Sequence, residues 1–132
     1  MKTTMFILSL FFLATVAGCS SDHDDSIDNY GLEGQWNLTH ISGGVSGMNI
    51  SFDPGVILWT FDEDTKMVTV VNNAVNGYSA FESGTYPYTI EHAGGNVSIT
   101  IDGVTFESIQ IFQNTLHFDQ TIVDGIFLEL TR

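Results

Sequence analysis

An all-β fold, a small antiparallel up-and-down barrel of about eight strands, is predicted by three features of the sequence. Apolar and polar residues alternate with period two through most of the chain after residue 30, and turn residues recur at short intervals. No stretch of that region carries the i, i+3, i+4 spacing of an amphipathic helix. Twelve of the thirteen glycines fall after residue 30, at turn positions that fit closely spaced strands. A two-sheet β-sandwich satisfies the same pattern and is the alternative architecture.

The elements follow in order. Trp36, Leu38 and His40 alternate with Asn37, Thr39 and Ile41, which places His40 on the tryptophan face as a hydrogen-bonded barrel residue. The Gly-rich stretch "SGGVSGMNISFDPG" (42–55) is long for a hairpin connection and reads as a lid or binding loop. Ile57, Trp59 and Phe61 alternate with Leu58, Thr60 and Asp62; "DEDTK" (62–66) is a tight polar turn, and "MVTVVNN" is the returning strand. "GTYPYTIE" puts Tyr86, Tyr88 and Ile90 on one face, and Pro87 within it belongs at an edge or bulge because it has no ladder donor. "NVSITI" leads into Asp102-Gly103, a two-residue hairpin signal because both central positions of a type I′ turn need positive φ. "VTFESIQIF" changes phase near Glu107, which predicts a bulge, and "TLHFDQ" and "GIFLELTR" complete the count.

The N-terminal region has a different character. Lys2 is followed by an apolar run from Met5 to Val16 and by the small residues Ala17 and Gly18, the layout of a removed secretory signal (1–18). The run is shorter than the roughly 20 residues a transmembrane helix needs. Val16-Ala17-Gly18-Cys19 resembles the lipobox of bacterial lipoproteins, which implies that Cys19 becomes the lipidated N-terminus, palmitate-type chains included. The alternative is an ordinary signal with a chance cysteine. Cys19 is the only cysteine, so no intramolecular disulfide competes for it. Each buried methylene contributes about 0.8 kcal/mol, so two or three acyl chains anchor a protein stably. "SSDHDDSIDN" then supplies four aspartates in ten residues, and residues 19–31 read as a flexible tether. An acidic run behind the lipidated cysteine resembles the export signal of Bacteroidota surface lipoproteins, although His23 interrupts it. This implies an outer-membrane, lipid-anchored, surface-facing protein; a periplasm-facing anchor is the alternative.

Without residues 1–18 the chain sets sixteen acids against Lys66 and Arg132, a formal charge of −14. Phosphate binding needs a basic surface, so nucleic acid is excluded as a partner. Residues 32–132 suffice for one domain with one core, and a monomer is expected. No catalytic chemistry is legible. G-x-S-x-G is absent, "GGVSG" misses its spacing, and His23, His40, His92 and His117 are scattered without zinc-ligand spacing, so no metal, cofactor or enzymatic activity is expected. His117 falls on the strand face opposite Leu116 and Phe118, and Asp62, Glu63, Asp64 and Asp119 read as turn and outer-face residues.

"LEGQWNLTHI" resembles the Gly-x-Trp opening of lipocalins, here Gly34-Gln35-Trp36. "GVILWTFDEDTKMVTV", "SGTYPYTI", "NTLHFDQ" and "DGIFLELTR" are similar to the short lipocalin-like domains of Bacteroidota lipoproteins. The resemblance implies that Trp36 plugs one barrel end and that a late arginine, here Arg132, packs across it; a frayed terminal charge is the other reading of Arg132. It also implies a small apolar ligand, with Trp59, Phe61, Tyr86, Tyr88, Phe106, Phe112 and Phe118 as candidate lining residues. Core filling is the competing role for these rings. The second functional class is a non-enzymatic surface module that contacts another envelope protein or a glycan through exposed aromatics and the 42–55 loop. A filled barrel with Tyr78, Phe81 or Trp59 outside would favour it.

Overall fold

Strands β1 (Gly34–Gly43), β2 (Met48–Ser51), β3 (Ile57–Asp62), β4 (Met67–Asn72), β5 (Gly84–Ala93), β6 (Asn96–Ile101), β7 (Val104–Phe106), β8 (Ser108–Phe112), β9 (Thr115–Asp119) and β10 (Ile126–Thr131) follow one another along the chain. The computed structural model describes residues 30–75, 78–120 and 123–132. Cys19, the signal segment and most of the tether lie outside these residues. Nine strands pair in the order β7-β6-β5-β4-β3-β1-β10-β9-β8, all neighbours antiparallel, and β2 pairs with the upper half of β1. β7 and β8 stand at opposite ends of that order, yet only Glu107 separates them in the chain, and β6 lies against β8. The sheet is thus nearly closed into a barrel of nine strands, one more than the sequence count.

Several local expectations meet the structure directly. Asp102 and Gly103 both adopt positive φ, 47° and 82°, between the paired residues Ile101 and Val104. The Asp62 carboxylate accepts from the amides of Asp64 and Thr65 (3.1 and 2.9 Å), which closes the β3–β4 turn as an Asx turn. These amide donors stabilise the charged form and hold the Asp62 carboxyl below its ordinary range.

Others are corrected. The register of β1 on β10 slips between Leu38 and His40, so Thr39 is an extra residue. Past this bulge Ile41, not His40, points into the core; His40 lies on the outer side with its Nδ1 3.2 Å from Ser51 Oγ. The 42–55 segment is not one long loop, because Met48–Ser51 folds back on β1 through a tight turn closed by Gly47 N–H to Gly44 O (2.9 Å). Pro87 occupies neither a free edge nor a bulge. It sits in β5 where pairing passes from β4 (Met67↔Pro87) to β6 (Tyr88↔Ile101), and its carbonyl accepts from Asp102 at the β6–β7 turn (3.0 Å). The missing N–H faces that turn, beyond the end of the β6 ladder. Glu107 is a break, not a bulge: it is the seam at which the chain leaves one end of the sheet and enters the other.

Among the described residues the core runs from Leu32 to Leu130, and the strands join into one sheet. Trp36, Leu38, Ile57, Trp59, Phe61, Ile99, Ile101, Phe106, Phe118 and Leu128 are excluded from solvent. Two glycines give the turns different tolerances. Gly103→Ala introduces a side chain into open space at positive φ and is expected to cost about 1 kcal/mol. Gly43→Ala combines positive φ with a Cβ driven into the Gly125 carbonyl, so urea denaturation should show a clearly larger loss for it than for Gly103→Ala.

Candidate functional site

One barrel end is sealed. Residues 30–33 cross beneath it: Tyr30 donates to Ile109 O (3.3 Å) with its ring edge-on to His92 (6.1 Å), and Leu32 is wholly buried. Trp36 is also wholly buried, and its indole N–H donates to Leu32 O at 2.7 Å, which satisfies its one polar group. The Arg132 guanidinium carbon stands 4.2 Å from the Trp36 ring centroid, and its Nη1 donates to Glu33 O (3.3 Å). The sequence reading missed Glu63. It is folded under the barrel instead of facing out: its Oε1 accepts from Leu32 N–H (2.9 Å), while its own amide donates to Glu33 Oε2 (2.7 Å). The entry segment and the β3–β4 turn therefore clamp one another.

The Tyr88 hydroxyl donates to Asp62 O (3.3 Å) in this region. Burial pushes its phenol well above the ordinary tyrosine range, and the negative charges of Glu63, Glu33 and Asp62 add to the effect.

A family model described as the lipocalin-like domain matches residues 32–118, from Leu32 and Trp36 of the sealed end through strands β1 to β8 and into β9. The chain belongs to that family. Searches of curated proteins and of solved structures return no match.

Within this lipocalin-like barrel the seven candidate lining residues separate. Trp59, Phe61, Tyr88, Phe106 and Phe118 point inward and are packed ring on ring: Trp59 lies 6.2 Å from Phe61 and 5.8 Å from Phe118, Phe61 5.4 Å from Tyr88, and Phe106 5.4 Å from Phe118. Tyr86 is half-buried and donates to Glu82 O (3.0 Å). Phe112 is 71% exposed and lines nothing. Counting by twos from Phe106 points it inward, but the seam at Glu107 resets the parity, so Ile109 and Ile111 turn in and Phe112 turns out. His117 is on the outer face, 3.3 Å from Glu129, with its ring tilted against Phe127 at 5.0 Å. Among the described residues no three His, Cys, Asp or Glu side chains gather as a metal site.

The opposite end is built differently. The β4–β5 connection is held by Asn72, whose side-chain amide donates to Ser79 Oγ (2.6 Å) and Phe81 O (3.1 Å). Phe81 is thereby turned inward, its ring edge-on to Trp59 at 5.4 Å and 5.3 Å from Tyr86. Residues 78–82 line a surface depression of about 180 Å³ above it. Val45, Val75 and Val123, each about nine-tenths exposed, and the half-exposed Tyr78 project from the loops of this end.

Two outcomes test the sealed end. Trp36→Ala should cost about 3–5 kcal/mol in urea denaturation, whereas Arg132→Ala, which removes an exposed cation from the ring face, should cost about 0.5–1 kcal/mol. Because the folded Tyr88 holds its proton above the unfolded value near 10, its contribution is complete below that pH and is lost as pH rises beyond it. Stability measured across this alkaline range should fall, and Tyr88→Phe should flatten the slope.

Proposed function

We propose that this protein is a non-enzymatic, monomeric envelope lipoprotein whose lipocalin-like barrel carries one small apolar molecule. The observation that carries the reading is the asymmetry of the barrel. One end is sealed by Leu32, Trp36 and Arg132, while at the other Phe81 packs edge-on against Trp59 of the aromatic interior and also lines a surface depression. Small barrels hold at most one ligand, and a mostly apolar lining with few polar groups suits a neutral organic molecule. The Val16 to Cys19 motif and the aspartates behind it support a lipid anchor in the outer membrane, with the barrel facing outward on its tether.

A second reading rests on the exposed Val45, Val75, Val123 and Tyr78, which suit a surface module that docks on another envelope protein or a glycan. Trp59 and Phe81 lie inside the barrel, which removes two of the aromatics such a module would present. Native mass spectrometry of the protein purified from its own membranes separates the two readings. A stoichiometric mass that leaves on denaturation is expected for a carrier; a bare protein mass, unchanged after incubation with a mixed lipid extract, would sink the carrier and favour the module. An acyl mass that survives denaturation is expected on Cys19, and Cys19→Ala should move the protein from the membrane fraction to the soluble fraction.

A further inference from the structure

The Trp59 indole N–H is fully buried and has no hydrogen-bond partner among the described residues. Trp36, its cross-strand neighbour, donates to Leu32 O, so the two inward tryptophans differ in their one polar group. A buried donor left unpaired costs roughly 1–3 kcal/mol, and such groups in native folds call for an explanation. Here the donor's ring sits among those of Phe61, Phe81 and Phe118. Phe81 is the shared wall: it lines the depression of about 180 Å³ and rests edge-on against Trp59.

Charge narrows what could accept this hydrogen bond. Lys66 and Arg132, the only cations after residue 2, are both at the sealed end, in the β3–β4 turn and over Trp36. Glu82 lines the depression beside Phe81, which is the way in on the carrier reading. A carboxylate or phosphate at Trp59 would lose its hydration with no cation to compensate it and would pass a like charge on the way. A neutral carbonyl or ether oxygen bears neither cost.

We infer that the ligand is a neutral apolar molecule with one hydrogen-bond acceptor, which takes the place of the Phe81 ring and accepts from Trp59 Nε1–H. The inference rests on the carrier reading and adds the class of ligand and its polar anchor. It distinguishes ketones, esters and ethers from fatty-acid anions, which this barrel excludes.

The test uses residues 20–132, which contain the whole barrel, a long-chain methyl ketone, and the carboxylate of equal length. Proton–nitrogen correlation NMR resolves the two indole N–H signals, with Trp59→Phe assigning them. Addition of the ketone is expected to move the Trp59 signal downfield and leave Trp36 in place, with the carboxylate binding at least about tenfold more weakly. Trp59→Phe should weaken ketone binding by roughly fivefold, the worth of one neutral hydrogen bond, and Phe81→Ala, which keeps Trp59 intact, should tighten it. Ketone binding with an unmoved Trp59 signal, or carboxylate binding of equal strength, overturns the inference and leaves the carrier reading standing. Failure of wild type and Phe81→Ala to bind either probe also overturns it, and the carrier reading is then decided by the mass of the protein from its own membranes.

Discussion

A sheet of nine strands becomes a barrel only if its first and last strands meet, and the remaining features of this protein depend on how that closure is made. The chain makes it covalently, with Glu107 alone between β7 and β8. A one-residue step cannot preserve alternation across the seam, so Phe106 and Ile109, three positions apart, both point inward. The bulge at Thr39 does the same on β1, where Trp36, Leu38 and Ile41 share the interior. These two breaks of period let the barrel curve round a tight core while every strand still buries one face.

That core is aromatic because the barrel is small. Rings from β3, β5, β7 and β9 meet edge-on or tilted at 5.4–6.2 Å, so that their quadrupoles attract and little space remains between them. Filling and binding are then not opposites. With Phe81 inside, its ring packs on Trp59 beside Phe61 and Phe118, and it is the part of this core held by a connection, not by a ladder. It owes its position to Asn72 and to a turn with Ala80 at φ 65°.

Electrostatics divide the molecule in the same direction. The sealed end holds Arg132 and Lys66 among the carboxylates of Glu33, Asp62 and Glu63, with the backbone of Leu32 and the amide of Glu63 as donors. The other end has apolar tips and Asp124, Asp53 and Glu82 but no lysine or arginine. With a formal charge of −13 on the chain, the molecule repels anionic surfaces.

The sequence alone determined what depends on near neighbours. Period two specified strands, Asp102-Gly103 and "DEDTK" specified hairpins through local φ preferences and an Asx carboxylate, and the resemblance of Gly34-Gln35-Trp36 to a lipocalin opening pointed to Arg132 as the partner of Trp36. The tertiary structure decided what depends on strands far apart in the chain. It placed His40 and Phe112 outside, because a bulge and a seam shift parity by one residue, and such a shift is set by closure and not by local pattern. It drew Glu63 under the barrel, where Leu32, thirty-one residues earlier, donates to Oε1 while Oε2 has no partner among the described residues. It also turned Phe81 inward and left the Trp59 N–H without a partner, because both depend on which loop ends up over which strand.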